Sequence, residues 1–137
     1  MITVRLKQSD YEAMVAHAQS SLPNEACGLL AGKADGDVKI VEKVYLLSNP
    51  DNSPEHFSID PKEQLAAVKD MRANGFAPLG NFHSHPSTPA RPSQEDIRLS
   101  YDPKASYLIL SLAEKNPVLK AFGVAGGEVI PQAVEIF

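Results

Sequence analysis

Residues Glu25 to Gly32, EACGLLAG, form a short, mostly apolar run with a breaker on each side, Pro23 before it and Gly36 after it. A run of this length suits a buried strand better than a one-turn helix, so the chain is expected to build a sheet around it. Upstream, Ile2 to Lys7 alternate as a half-buried strand does, and Ser9 with Glu12 has the three-residue offset of a capping box. Tyr11, Met14, Val15, Ala18 and Leu22 then recur at helical spacing, predicting a helix with one apolar stripe that Pro23 ends. Downstream, Asp35 to Asp37 around Gly36 predicts a hairpin turn, and Val38 to Leu47 the returning strand.

The rest of the chain continues the alternation of elements. Asn49 to Pro54, NPDNSP, predicts a loop, and His56 to Ile59 a short strand. Asp60 and Pro61 supply an N-cap and a first-turn proline for a second helix, which should bury Leu65, Val68 and Met71 and end at Gly75. Pro78 to His85 predicts a strand, Pro86 to Pro92 a loop stiffened by three prolines, and Ser93 the start of a further helix. Tyr107 to Leu112, Leu119 to Val124 and Val129 to Ile136 complete the strands. Interspersed strands and helices imply an α/β fold, a mixed sheet flanked by helices.

Composition sets the outer limits. With 137 residues, 43% of them hydrophobic, the chain can fill one interior, so residues 1–137 are read as a single domain. A charged fraction of 22% and a net charge of -4 exclude a disordered chain and a nucleic-acid-seeking surface. The one cysteine, Cys27, excludes an intrachain disulfide and a cysteine-built zinc knuckle, and fits a small buried side chain in a reduced compartment. The start of the chain has no signal-peptide core, and the apolar stretch from Tyr107 to Ala113 is far short of the roughly 20 residues that span a bilayer. A cytoplasmic protein without a membrane span is expected.

Two of the four histidines stand in FHSHP as His83 and His85. On a strand, residues two apart share a face with Cα atoms about 6.6 Å apart, close enough for two imidazoles to meet one ion at about 2.0 to 2.1 Å each. The pair alone is weak, because an HxH arises in about one shuffled sequence in twelve at this histidine content. Seven intervening residues further on comes Ser93, and three positions later Asp96. SxxD is also a capping start for a helix, and the two roles are compatible: a serine hydroxyl can accept from the backbone while donating to a substrate oxygen. His83, His85 and Asp96 would give two imidazoles and a carboxylate, the three-ligand pattern of a catalytic zinc with one position left for water. Such chemistry needs a group that takes a proton from water and delivers it to a leaving amine. Glu25 is the candidate, because a charged group at the head of an apolar strand needs a reason to be tolerated; the competing reading is a solvated acid at a strand end. His17, on the polar side of the first helix, and His56, opening a short strand, lack ligand spacing.

Glu25, His83-x-His85, seven residues and Ser93-x-x-Asp96 together closely resemble the signature of the JAMM metalloproteases, the metal-binding branch of the MPN-domain family. PNEACGLLAG, the FSIDP segment from Phe57, HPSTPARPSQED and ASYLILSL extend the resemblance over nearly the whole chain, towards the small single-domain bacterial members. The resemblance implies a cytidine-deaminase-like fold, with one zinc ion per chain on His83, His85 and Asp96. Glu25 would be the proton shuttle, Ser93 would help stabilise the oxyanion, and the reaction would be metal-assisted amide hydrolysis. As substrate it implies a peptide or isopeptide bond at the Gly-Gly tail of a ubiquitin-like or sulfur-carrier protein, whose glycines clear a narrow approach and whose backbone can pair with an exposed strand edge. A zinc deaminase would need HxE and PCxxC, which this chain lacks. A non-catalytic MPN-type scaffold is the rival from another class, although here every ligand position of the signature is filled.

Overall fold

The strand expected around residues 25–32 is β2 (Cys27–Asp35) in a computed structural model that describes residues 1–137. Before it come β1 (Thr3–Leu6) and α1 (Gln8–Ser21). After it come β3 (Val38–Leu47), α2 (Pro61–Ala73), β4 (Ala77–His85), α3 (Gln94–Arg98), β5 (Ser106–Ser111), β6 (Val118–Ala125) and β7 (Glu128–Ile136). Gly36 takes a left-handed φ of 57° in the turn between β2 and β3, where a residue without Cβ is unstrained. None of the helices is long and apolar enough to cross a membrane.

The sheet is mixed, as expected, with β4 and β5 parallel and β2 antiparallel to both β3 and β4. Helices α1 and α2 pack on its two faces, but the sheet is closed rather than open. The strands run in the order β1-β3-β2-β4-β5-β6-β7, and a parallel β1–β7 pair closes them into a barrel. Each strand therefore has a neighbour on both sides, although β1 pairs with only Val38 to Ile40 of β3, so the stretch from Val41 to Leu47 keeps an unpaired side.

Closure explains the apolar run. Leu30 joins Val4, Leu6, Val41, Phe82 and Leu108 in the main core, to which α1 adds Met14 and Ala18. Ala31 faces the other way, onto Ala67 and Met71 of α2, with Leu29 and Tyr45 packed beside them. A strand buried on both faces cannot alternate. The α2 contact is narrow, so Leu65 lies outside it, 56% exposed, and Val68 is only half-buried. Asp60 caps α2 as expected, accepting from the Lys62 amide at 2.8 Å. Ser9 does not cap α1. The cap position falls two residues earlier, on Lys7, and the helix begins at Gln8, whose amide donates to the Phe137 carbonyl at 2.6 Å, so Phe137 serves the helix start instead. His56 to Ile59 form no strand and stay in the loop between β3 and α2.

One irregularity decides which way the histidines point. The β2–β4 register shifts between Leu30 and Ala31, opposite Gly80 and Pro78. Gly80 has φ 156°, and a Cβ there would lie 1.8 Å from the Ser106 carbonyl oxygen. Past the shift, Phe82 faces the core while Asn81 and His83 line a cavity on the other side. At the opposite ends of β4 and β5 from His85, Lys39 is buried. Its ammonium donates to the Lys104 carbonyl at 2.7 Å, to Ser106 Oγ at 2.8 Å and to the Leu79 carbonyl at 3.4 Å, and Ser106 donates onward to Gln132 Oε1 at 2.7 Å.

Candidate metal centre

β4 ends on His83 and His85, whose Nε2 atoms lie 3.1 Å apart; Asp96, on the first turn of α3, brings Oδ2 to 3.1 Å from each. Three ligand atoms thus form a nearly equilateral triangle. A tetrahedral zinc ion bound at 2.0 to 2.1 Å separates its ligands by about 3.3 Å, so this cluster could hold such an ion with little adjustment. Helix α3 is held where it needs to be by its own cap. Ser93 Oγ accepts from the Asp96 amide at 3.0 Å, and the Ser93 amide donates to Asp96 Oδ2 at 2.9 Å, so the capping box also aims the carboxylate.

The electrostatics suit a cation. Burial opposes ionisation of Asp96, but hydrogen bonds from the two imidazoles and the Ser93 amide hold it well below the usual carboxylate range. Burial lowers the His83 pKa more than Asp96 raises it, so His83 favours the neutral ring that has a lone pair to give. For His85, burial works downward but the bonds to Asp96 and to the backbone outweigh it. His85 Nδ1 lies 2.9 Å from the Pro89 carbonyl, which can only accept, so the proton sits on Nδ1 and Nε2 is turned to the cluster. The proline-rich loop earns its stiffness here, and Ser111 Oγ pins it further by donating to the Thr88 carbonyl at 2.6 Å. His83 Nδ1 is buried without a partner; the Phe57 ring stacks on the imidazole with centroids 4.7 Å apart.

Glu25 sits just ahead of β2. Cys27 pairs with His83, and Ala26 and Ser84 bond one another in both directions, so continuing that register puts Glu25 across from His85. It is 5% exposed, and its Oε1 is buried without a partner. Burial, with Asp96 adding repulsion against the pull of His85, pushes its pKa up to about 7. A solvated strand-end acid would show none of this. A cavity of about 460 Å³ opens beside the cluster, lined by Phe57, Ile59, His83, Asp96, Tyr101 and Tyr107 among others.

The five residues picked from sequence therefore lie in one neighbourhood: His83, His85 and Asp96 in contact, Ser93 bonded to Asp96, and Glu25 across from His85. Cys27 stays outside the cluster, its thiol buried and pushed up to about 12. His17 is half-buried rather than on a polar face, with Nε2 at 2.9 Å from the Leu47 carbonyl and its ring edge against Phe82. Sequence reasoning missed His56 and Glu95, whose side chains meet at 2.6 Å on the cavity wall, and Asn49, which bonds the backbone of Glu25. Nothing in their spacing marks them, because His56 and Asn49 lie in the loop between β3 and α2, whose path is set by tertiary contacts, and Glu95 meets His56 only through that loop.

Against known proteins, a family model described as prokaryotic homologs of the JAB domain matches residues 7–123. The chain is 34% identical over 125 residues to the CysO-cysteine peptidase of Mycobacterium tuberculosis, covering 90% of this chain and 84% of that one. It is 32% identical over 117 residues to the desampylase of Pyrococcus furiosus, covering 79% and 81%. Among solved structures, that of protein DSY2949 from Desulfitobacterium hafniense matches with a TM-score of 0.90 and 58% identity, over 98% of this chain and 92% of that chain.

Proposed function

The chain belongs to the prokaryotic JAB-domain family, and from that premise we propose that it is a JAMM-type zinc metallopeptidase acting on the Gly-Gly tail of a ubiquitin-like or sulfur-carrier protein. Residues 1–137 would act as one catalytic domain. The observation that carries the reading is the convergence of His83, His85 and Asp96 on one point, with a buried acid that has nothing else to bond standing across from them.

His83, His85 and Asp96 would hold the zinc, which would supply a Lewis acid and make bound water acidic near neutral pH. The protein's own groups do the rest. Burial lifts the Glu25 pKa above the ordinary carboxylate range, which suits it to take a proton from the attacking water and return it to the departing amine. Ser93 uses an oxygen lone pair on the Asp96 amide, which leaves its hydroxyl proton to donate to the oxyanion of the scissile carbonyl. Asp96 stays ionised and anchors one corner of the site.

The relatives named CysO-cysteine peptidase and desampylase support cleavage next to a carrier protein's tail. The tail would reach the cluster past the loops at Asn49 to Pro54 and Pro86 to Pro92. The test is to incubate the zinc-loaded protein with Gly-Gly-tailed carriers, some extended by one or more residues and some isopeptide-linked, and to follow intact mass. Loss of the mass beyond Gly-Gly is expected. One equivalent of bound zinc with no cleavage of any carrier would favour the scaffold reading, and failure to bind zinc would sink the peptidase reading.

A further inference from the structure

Glu25 has no ladder bond to β4. Its amide donates to the Ser53 carbonyl at 2.8 Å, and its carbonyl accepts from Asn49 Nδ2 at 3.1 Å. Both partners belong to the loop that follows β3. The same Asn49 Nδ2 donates to the His56 carbonyl at 2.8 Å, while Oδ1 accepts from the Asp51 amide at 3.1 Å and the Ser58 amide at 3.3 Å. An asparagine amide has two donor protons and two acceptor sites, so all four are in use, and the partners fix which end is nitrogen. The carboxylate of Glu25, by contrast, has one oxygen buried and unbonded, so its own bonds do not orient it. Its direction must come from its backbone.

We propose that Asn49 is the positioning residue for Glu25: its donor half clamps the Glu25 backbone so that the carboxylate faces the His83–His85–Asp96 cluster, while its acceptor half closes the loop. The catalytic part of this inference rests on the reading of Glu25 as the proton carrier; the clamp itself does not. The two halves can be separated by one atom. Asn49→Asp is nearly isosteric and keeps an oxygen for the Asp51 and Ser58 amides, but it turns a second oxygen towards the Glu25 and His56 carbonyls.

The experiment compares zinc-loaded wild type with Asn49→Asp and Asn49→Ala by residue-resolved amide exchange, zinc content and steady-state hydrolysis of a tailed carrier. In Asn49→Asp the Glu25 amide should exchange about 10-fold faster or more, while the Ser58 and Leu30 amides keep their protection. Zinc should stay at one equivalent, and kcat should fall by about 10²-fold with KM within about twofold, as expected for a misplaced proton carrier. Asn49→Ala should release both Glu25 and Ser58. Unchanged exchange at Glu25 in Asn49→Asp would overturn the clamp, and faster exchange with unchanged kcat would confine Asn49 to holding the loop. A rise in KM alone would make it a substrate contact instead. If the wild type cleaves no carrier, the functional reading fails, and exchange at Glu25 still decides the clamp.

Discussion

Two buried polar clusters occupy opposite ends of β4 and β5, and they are built on opposite terms. At one end Lys39, Ser106 and Gln132 share a closed set of bonds, with the ammonium meeting three acceptors. At the other end Glu25 Oε1 and His83 Nδ1 are buried without partners, and two imidazole nitrogens crowd one carboxylate oxygen. Burying a polar group without a partner costs about 1–3 kcal/mol, so a cluster serving stability alone would satisfy its atoms as the Lys39 end does. The contrast separates a structural plug from a site that reserves bonding capacity for something brought to it.

The sharpest way to break that contrast is at Glu25. Glu25→Gln should keep one equivalent of zinc while carrier hydrolysis falls by about 10³-fold or more, because the amide cannot take up a proton from water. Metal analysis beside a kinetic assay checks it, and loss of zinc would make Glu25 a ligand instead. At the other end, Lys39→Met should leave three acceptors unpaired and lower stability to urea by about 3 kcal/mol, with kcat unchanged below the unfolding transition. An equally large loss of kcat would show that the two ends are not separable.

Ser93→Ala draws the boundary within the site. It should retain zinc and lose about 10²-fold in kcat, an effect of the size seen for one oxyanion donor, together with about 1 kcal/mol of stability from the lost cap. Loss of stability alone would leave Ser93 only its capping role. The smallest effect should appear in the metal-free protein as pH changes. The folded pKa of Glu25 is raised to about 7 from the ordinary 4.5, so between those values the folded state holds more protons than the unfolded. Stability should then fall as pH rises through that window. Glu25→Gln should remove this slope and be the more stable protein at pH 8, with no advantage at pH 4. Parallel urea titrations of the two proteins across that range read the difference directly.

What the sequence could tell depended on how local the physics was. His83 and His85 were readable because a strand puts alternate residues on one face, and Ser93 with Asp96 because one helical turn does the same. Glu25 was readable only as an acid out of place. The closure of the barrel was not, because it rests on β1 pairing with β7 across nearly the whole chain. Lys39 was missed for a related reason. In VKIV the apolar residues suggest that Val38 and Ile40 face inward, yet Lys39 and Val41 do, since a lysine can be buried where three distant acceptors meet it. Leu65 fails in the opposite sense: its helical spacing is right, but α2 touches the sheet along a stripe too narrow to cover it.

The ring of seven strands is sealed by its first and last members, and Phe137 is bonded into that seam through its amide to Leu6 and its carbonyl to Gln8. Clipping the final strand would do more than shorten the protein. It would bare the backbone of β1 and β6 at once, inviting neighbouring copies to stack edge to edge. A nick near Gly126 and Gly127 would cut the β6–β7 turn and leave the final strand held only by its ladder bonds to β1 and β6, with the metal-binding residues themselves untouched.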